Sequence, residues 1–228
     1  ILTVEALLRW PHPDLGMIPP LKFLPLAEDA GLMGPLTAWV LNEAVAQCAR
    51  WRDADTDVCV AVNVSTTNLL EDGFVDMVVD VLARHGLPAS QLVIEITEST
   101  IITNFELSQF VIERLRDLGI VVSIDDFGAG ERPLKYLASL ALGELKLDRP
   151  FIADLTADES QRTLVRAAIN FAHELGLRVV AEGIEDVATL ELVEEMGCDL
   201  AQGYYISRPA PADQLSFRTG REAVVGAD

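Results

Sequence analysis

Continuous apolar runs alternate along the chain with segments of helical periodicity. Runs without internal polar residues are typical of parallel strands that are buried on both faces. Helical segments recur between them, so the pattern predicts repeated strand–helix units of the α/β class, arranged as a (β/α) barrel or an open sheet. The predicted strands lie near residues 1–6, 57–64, 91–96, 120–125, 143–148, 178–182 and 199–206.

Glycines follow four of the predicted helices. A glycine just past the last turn accepts the left-handed conformation that ends a helix. These positions are Gly86, Gly119, Gly176 and Gly197. In the helix before the second glycine, apolar residues at helical spacing predict one buried face. That face comprises Leu107, Phe110, Val111, Leu115 and Leu118.

Polar side chains, mostly carboxylates, stand where the strand-like runs end. The carboxyl ends of parallel barrel strands meet at one face, so we expect these side chains to converge. Crowded carboxylates repel one another unless cations neutralise them, which favours a metal site. Taken singly, each residue is also compatible with a helix cap or a loop edge. The set consists of Glu5, Asn63, Glu95, Asp125, Asp126 and Glu182.

The ligand types favour one class of metal. The candidate ligands are carboxylate and amide oxygens, which suit Mg²⁺ or Mn²⁺ better than Zn²⁺. The three histidines, His12, His85 and His173, lie outside the strand ends. We therefore assign the histidines to surface or structural roles.

The adjacent carboxylates Asp125 and Asp126 have two interpretations. They follow an apolar run and precede a glycine-rich stretch. They could form a turn in which an aspartate caps the next helix. Alternatively, a bend at the strand end could let the two side chains serve two cations, as bridging carboxylates do in two-metal phosphoesterases.

Lys146 is the cation that stands at a predicted strand end. It could neutralise carboxylates in a salt bridge, or form a Schiff base as in barrel aldolases. A Schiff base requires a lowered lysine pKa, which neighbouring carboxylates oppose. A third interpretation, which we prefer, is a charged donor that holds a water and stabilises phosphoryl oxygens. Arg9, four residues after Glu5, is suited to binding a phosphate.

Composition narrows the classes of protein and partner. The chain has 228 residues, half of them apolar, which predicts one folded domain. A formal charge of −19 argues against binding DNA or RNA polymers and against an anionic membrane surface. No apolar stretch has membrane-spanning length and no signal peptide is visible. The three cysteines form no CxxC pair, which favours a reducing compartment and predicts a cytoplasmic module.

Taken in order, these segments resemble the EAL-type cyclic di-GMP phosphodiesterases of bacteria. The resemblance covers nearly the whole chain, and seven motifs in the family's order are far more specific than one. The matching segments are Glu5-Ala6-Leu7-Leu8-Arg9-Trp10, Asn63-Val64-Ser65, Glu95-Ile96-Thr97-Glu98-Ser99, Asp125-Asp126-Phe127-Gly128-Ala129-Gly130, Lys146-Leu147-Asp148, Ala181-Glu182-Gly183-Ile184-Glu185 and Gln202-Gly203-Tyr204.

The resemblance implies an α/β fold, a modified TIM (β/α)₈ barrel, that hydrolyses cyclic di-GMP to linear pGpG. It implies two Mg²⁺ or Mn²⁺ ions and in-line attack of a metal-bound hydroxide on phosphorus. Lys146 would hold the hydrolytic water, and Glu182 would act as a metal ligand and as the general base. Arg9 and Gln202 would meet the substrate phosphate and the polar network, and Glu98 would steady the loop after the aspartate pair. The implied metal ligands are Glu5, Asn63, Glu95, Asp125, Asp126 and Glu182.

The chain departs from the family pattern in two places. Members usually begin with an earlier strand, which this chain lacks; it opens without Met, as an excised module would. After the glycine-rich stretch, where members carry an aromatic and small hydroxyl residues, this chain has Glu131-Arg132-Pro133. Pro133 removes an amide donor and restricts Arg132. An alternative function is therefore a receptor that binds cyclic di-GMP without turnover.

The predicted organisation is a barrel domain over residues 1–217 and a polar tail over 218–228. The resemblance also implies flanking signalling domains in a longer protein. Members of the family often form homodimers, so a homodimer is a further expectation.

Overall fold

The structure, a computed structural model, describes residues 2–97, 104–127 and 134–217. The described residues form two compact units. The first unit takes in the chain through Ile96 and continues from residue 104 to Val121. The second contains Thr97 and the chain from Val122 onward. The predicted tail over 218–228 lies outside the described residues.

The strands of the first unit form a parallel sheet and a separate hairpin. In the parallel sheet β1 pairs with β4 and β4 pairs with β5, while β2 and β3 pair antiparallel. Every residue of β4 except Asn63 is buried, as the apolar run predicts. The strands are β1 (Leu2–Glu5), β2 (Trp10–His12), β3 (Gly16–Ile18), β4 (Val58–Asn63) and β5 (Leu92–Thr97).

Helices cover this parallel sheet. The longest, α2, has 21 residues and packs on β4 through Leu41, Val45 and Cys48, none of which is exposed. Burying such side chains stabilises the fold by roughly 1.5–3 kcal/mol each. The helices are α1 (Pro20–Asp29), α2 (Met33–Asp53), α3 (Thr66–Leu69), α4 (Phe74–His85) and α5 (Phe105–Asp117).

The second unit repeats the strand–helix pattern. Its strands pair in parallel in the order β6–β7–β8–β9. Aspartates cap its helices: the side chains of Asp158 and Asp186 accept backbone amide hydrogen bonds in the first turns of α7 and α8. The elements are β6 (Val121–Phe127), β7 (Glu144–Leu147), α6 (Arg149–Ile152), α7 (Glu159–Glu174), β8 (Arg178–Ala181), α8 (Val187–Glu195) and β9 (Leu200–Ala201).

The predicted glycine signals are confirmed. Gly86 ends α4 in the left-handed conformation with a φ of 61°. Gly119, Gly176 and Gly197 also have positive φ after their helices. A side chain with a Cβ is strained in this region, so glycine is the residue that ends these helices most easily.

The predicted extent of two strands is wrong. The last strand was expected over 199–206, but β9 ends at Ala201. The chain turns at Gly203, whose Cα lies so close to the backbone of Ile184 that an added Cβ would collide with it. The fourth predicted strand, expected over 120–125, continues through the aspartate pair to Phe127.

The predicted buried face of α5 is wrong in part. Val111 and Leu115 are buried, but Phe110 is 55% exposed and Leu107 and Leu118 are exposed as well. The buried stripe runs instead through Ser108, Val111, Ile112 and Leu115. Leu107 and Phe110 belong to a neighbouring stripe with the same helical spacing, so periodicity alone could not separate the two.

Candidate active site

Two carboxylates meet at one amide in the first unit. Asn63, the last residue of β4, donates from Nδ2 to Glu5 Oε1 at 2.8 Å and to Glu95 Oε2 at 3.1 Å. Glu5 ends β1, and Glu95 pairs with Asn63 in the register of β4 and β5. The structure therefore brings together these three predicted ligands, as expected from adjacent parallel strands.

Backbone hydrogen bonds beyond the strands fix this arrangement. The amide of Ala6 donates to Ala61 O at 2.8 Å, and the amide of Val64 donates to Glu95 O at 2.9 Å. The ladders thus continue one residue past Glu5 and Asn63. Glu95 is only 2% exposed, whereas Asn63 is exposed, so the buried carboxylate depends on polar partners such as the amide of Asn63.

Two further carboxylates meet at a buried lysine in the second unit. Lys146 Nζ lies 2.7 Å from Glu182 Oε1 and 3.5 Å from Asp125 Oδ1. Lys146 points from β7, and its neighbour in the β7–β8 register is Val180, two residues before Glu182. The lysine is 2% exposed, so its charge depends on nearby carboxylates such as these.

These contacts bear on the three interpretations of Lys146. Two carboxylates within 3.5 Å favour a charged ammonium rather than the neutral amine that a Schiff base requires. A charged donor that also pairs with carboxylates fits both the first and the third interpretation.

The aspartate pair lies in a strand irregularity rather than after the strand. The β6–β7 register shifts between Ile124 and Phe127, which is the signature of a bulge. Asp126 has a φ of 56°, a left-handed conformation that aspartate tolerates better than most residues. Its amide donates to Asp125 Oδ1 at 3.0 Å. The bulge and the positive φ interrupt the regular strand at the aspartate pair, where a bend was one of the two interpretations.

Gln202 holds the loop that follows Glu182. Its carbonyl oxygen accepts from the amide of Ile184 at 3.0 Å, and its amide donates to Ala181 O at 2.8 Å. The Gln202 backbone thus fixes the chain on both sides of Glu182. Arg9 is exposed, and its Nη1 donates to Leu8 O at 2.8 Å. Glu98 and the Glu131-Arg132-Pro133 segment lie outside the described residues.

Sequence reasoning missed a buried carboxylate, Glu144. It is 3% exposed and lies at the start of β7, with Arg178 Nη2 3.2 Å from its Oε2. Burial raises the pKa of Glu144, and the nearby Arg178 partly offsets this. The available signal was that β7 and β8 begin with opposite charges, Glu144 and Arg178.

The histidines make local structural contacts. His12 Nδ1 accepts from the backbone amides of Asp14 and Leu15 at 3.1 and 3.3 Å, which shapes the turn between β2 and β3. His173 Nε2 lies 2.9 Å from Asp199 Oδ2, and His85 Nε2 lies 3.0 Å from Asn42 Oδ1. These contacts agree with the predicted structural roles.

The donor chemistry fits hard divalent cations. Within the described ranges, no group of three or more His, Cys, Asp or Glu side chains is arranged to hold a metal ion. Instead, each pair of carboxylates contacts one nitrogen donor. In one unit the amide of Asn63 contacts Glu5 and Glu95. In the other the ammonium of Lys146 contacts Asp125 and Glu182. A cation could take over such contacts, and oxygen ligands suit Mg²⁺ or Mn²⁺.

Among the helices that the structure describes, none combines the length and apolar character needed to cross a membrane.

The sequence model of the EAL domain matches residues 1–209. The chain belongs to the EAL domain family. The predicted family is thereby confirmed, and the motifs that carried the resemblance fall inside the matched range.

Relatives of this EAL domain include characterised bacterial signalling proteins. It is 43% identical over 216 residues to the bifunctional diguanylate cyclase/cyclic di-GMP phosphodiesterase MucR of Pseudomonas aeruginosa, covering 94% of this chain and 32% of MucR. It is 40% identical over 212 residues to the cyclic di-GMP phosphodiesterase PA2567 of the same organism, covering 93% and 36%. The chain therefore spans about a third of the length of these relatives.

Solved EAL structures confirm the predicted fold class. The cyclic di-GMP complex of the MucR phosphodiesterase matches with a TM-score of 0.89 at 43% identity, covering 94% of this chain and 87% of that one. The Xanthomonas citri FimX EAL domain with cyclic di-GMP matches with a TM-score of 0.88 at 22% identity, covering 96% and 86%. The chain has the α/β, TIM-barrel-like fold of this family.

Proposed function

We propose that this EAL domain is a metal-dependent phosphodiesterase that hydrolyses cyclic di-GMP to linear pGpG. The observation that carries the proposal is the pairing of carboxylates around Asn63 and around Lys146. MucR and PA2567, whose names state a cyclic di-GMP phosphodiesterase activity, support the substrate. The proposed oxygen ligands for two Mg²⁺ or Mn²⁺ ions are Glu5, Asn63, Glu95, Asp125, Asp126 and Glu182.

The chain's own residues supply the remaining functions. Lys146 holds the attacking water and, as a buried ammonium, stabilises charge that develops on phosphoryl oxygens. Glu182 accepts a proton of the water as the water oxygen bonds to phosphorus. The bond from phosphorus to a ribose 3′-oxygen breaks, and that oxygen takes up a proton from solvent to become the 3′-hydroxyl of pGpG. Arg9 contacts a substrate phosphate, while Gln202 contributes to the polar network and Glu98 steadies the loop after the aspartate pair. When bound, the two cations neutralise phosphate charge and lower the pKa of water.

A turnover assay tests this function. The domain is incubated with cyclic di-GMP and Mn²⁺ or Mg²⁺, and pGpG is measured by chromatography. We expect pGpG to form and expect EDTA to prevent it. Binding of cyclic di-GMP without product would support the receptor alternative, which the Glu131-Arg132-Pro133 substitution favours. Neither binding nor product would refute both functions.

Variants of Glu5 and Glu95 test the ligand assignment. Because each carboxylate contacts Asn63, Glu5→Ala and Glu95→Gln should each lower turnover by at least ~100-fold, in line with the 10–100-fold loss typical even of residues behind the ligands. Circular dichroism should show a folded protein in both cases. The matched control is Glu43→Gln on the exposed side of α2, which should turn over cyclic di-GMP like the wild type. Near-normal turnover in either test variant would contradict the assignment.

The setting of the domain is also part of the proposal. Because the chain spans about a third of MucR and PA2567, we propose flanking signalling domains in the full-length protein. The family resemblance is the basis on which we also propose a homodimer. We place the domain in the cytoplasm because Cys48, Cys59 and Cys198 are all free cysteines, as is usual in a reducing compartment. Burial raises the pKa of Cys48 to about 11 and that of Cys198 to about 12, which keeps both protonated.

A further inference from the structure

Asn68, in the short helix α3 that follows the proposed ligand Asn63, has a buried side-chain amide. Its Oδ1 accepts two hydroxyl hydrogen bonds, from Thr37 Oγ1 at 2.9 Å and from Ser65 Oγ at 2.7 Å. Its Nδ2 donates to Glu71 Oε2 at 3.4 Å. Asn68 is 2% exposed, and a buried amide that lost these partners would be costly. Both ends of the amide are therefore committed to fixed neighbours.

Ser65, one of these neighbours, lies in the segment that follows the proposed ligand Asn63. Ser65 is the N-cap of α3, and its Oγ accepts from the Asn68 amide at 3.3 Å. Ser65 follows Asn63 by two residues, and the intervening Val64 donates to Glu95 O. The segment from Asn63 to Ser65 is thus held by the sheet on one side and by Asn68 on the other.

Thr37, the other hydroxyl neighbour of Asn68, connects this segment to helix α2. Thr37 lies in α2 and is 6% exposed. The helix packs against β4, the strand that ends in Asn63. Through Thr37, Asn68 ties the loop after β4 to the same helix that supports the strand. The backbone of Asn63 is thereby fixed on both sides.

A fixed backbone matters because it keeps the Asn63 side chain beside both carboxylates. In this structure Nδ2 faces Glu5 and Glu95. Rotation of the terminal amide would turn Oδ1 toward the same place, where it would be available as an oxygen ligand for a cation. Residues behind a ligand commonly set its orientation in this way.

We propose that Asn68, anchored by Thr37, is a positioning residue that sets the affinity of the Asn63 ligand group for a divalent cation. This inference rests on the proposed function, because it takes Asn63 as a ligand. Thr37, Asn68 and Ser65 are not among the proposed ligands, so in this proposal their hydrogen bonds affect the cation through Asn63.

The test measures Mn²⁺ binding directly by titration calorimetry, at a temperature where circular dichroism shows each variant folded. Asn68→Ala should weaken Mn²⁺ binding about 10-fold. The matched control is Gln91→Ala, another buried amide in the same unit. Gln91 donates to Asp57 Oδ1 at 2.8 Å and to Val58 O at 3.2 Å, at the start of β4 rather than its end. This control should lose stability but keep the wild-type Mn²⁺ affinity.

A pair of substitutions at Thr37 isolates the hydrogen bond from packing. Thr37→Val removes the hydroxyl at nearly constant volume and should weaken Mn²⁺ binding a few-fold, whereas Thr37→Ser keeps the hydroxyl and should bind Mn²⁺ like the wild type. Equal Mn²⁺ affinity in Asn68→Ala, Gln91→Ala and the wild type would overturn the inference while leaving the proposed function intact. A wild type that binds no Mn²⁺ would instead overturn the proposed function, and this inference with it.

Discussion

At the scale of single residues, the buried charge of Lys146 is stabilised by the carboxylates beside it. An ammonium that is 2% exposed would be strongly disfavoured alone, yet Glu182 and Asp125 lie within 2.7 and 3.5 Å of it. The same two carboxylates would repel each other without the lysine. The three charges therefore stabilise one another, and removing one of them destabilises the other two.

Replacing the lysine should consequently make the protein depend on cations. Lys146→Met keeps the volume but removes a positive charge 2.7 Å from Glu182 and 3.5 Å from Asp125, which should lower the free energy of unfolding by about 3 kcal/mol. In the variant, Mn²⁺ should raise the melting temperature more than it does in the wild type, because the cation replaces the lost ammonium. The measurement is thermal unfolding with Mn²⁺ and with EDTA. A variant that is as stable as the wild type in EDTA would contradict this account of the lysine.

At the scale of elements, one close approach shapes the end of β9. A Cβ on Gly203 would collide with the backbone oxygen and nitrogen of Ile184. These are backbone atoms, which cannot rotate away as a side chain can. Glycine at this position therefore lets the Gln202 and Ile184 backbones pair beside Glu182.

Gly203→Ala should separate these two segments. We expect a loss of stability of at least ~2 kcal/mol, as for other overpacked sites, with loss of turnover because the Glu182 loop shifts. Gly34→Ala is the control for stability, since the Cβ there meets the flexible carboxylate of Glu71 at 3.0 Å. Urea unfolding measures both variants, and the turnover assay compares Gly203→Ala with the wild type. Wild-type stability in Gly203→Ala would show that the two segments can move apart freely.

Glu144, at the start of β7, should make the stability of the protein depend on pH. Burial raises the folded-state pKa of Glu144 above its ordinary value of 4.5, so the unfolded chain releases this proton at lower pH than the folded protein. Any destabilisation from Glu144 is therefore absent below about pH 4.5 and grows as the pH rises toward the folded-state pKa. At higher pH it stays constant.

Glu144→Gln removes this titration. The stability of the wild type relative to this variant should fall as the pH rises above about 4.5 and then level off. The measurement is the melting temperature of each protein from pH 4 to pH 8. The exposed substitution Glu195→Gln on α8 should show no such trend. If the difference between wild type and Glu144→Gln were constant over this range, Glu144 would have an ordinary pKa.

At the scale of the whole molecule, the sequence was most informative where one feature repeats. Apolar runs that end in Glu5, Asn63 and Glu95 predicted neighbouring strand ends, because parallel pairing alone brings such ends together. The bulge at Asp126 could not be predicted in this way, since it depends on the register of β6 against β7.

Features that depend on contacts between distant segments also could not be predicted from the sequence. The early end of β9 results from Gly203 meeting the Ile184 backbone, and the Thr37–Asn68 hydrogen bond joins residues 31 positions apart. Neither leaves a periodic signal. Local patterns therefore predicted the elements and many candidate ligands, whereas the supports behind those ligands required the three-dimensional structure.

The net charge of −19 leads to a test of cation binding by the whole molecule. Any salt should raise its melting temperature somewhat by screening this charge. Specific binding adds a further stabilisation that grows with Mn²⁺ concentration, by about 2.7 kcal/mol at 100 times the Kd. We therefore expect MnCl₂ to raise the melting temperature more than NaCl at equal ionic strength.

Comparison with Glu95→Gln separates the two effects. This variant keeps nearly all of the negative charge and should respond to NaCl like the wild type, but the excess effect of MnCl₂ should be much smaller because a ligand carboxylate is missing. Differential scanning calorimetry of both proteins in matched salts measures the excess. Equal responses to MnCl₂ and NaCl in the wild type would mean that the molecule attracts cations only as a diffuse atmosphere, and the carboxylates around Asn63 and Lys146 would then be structural.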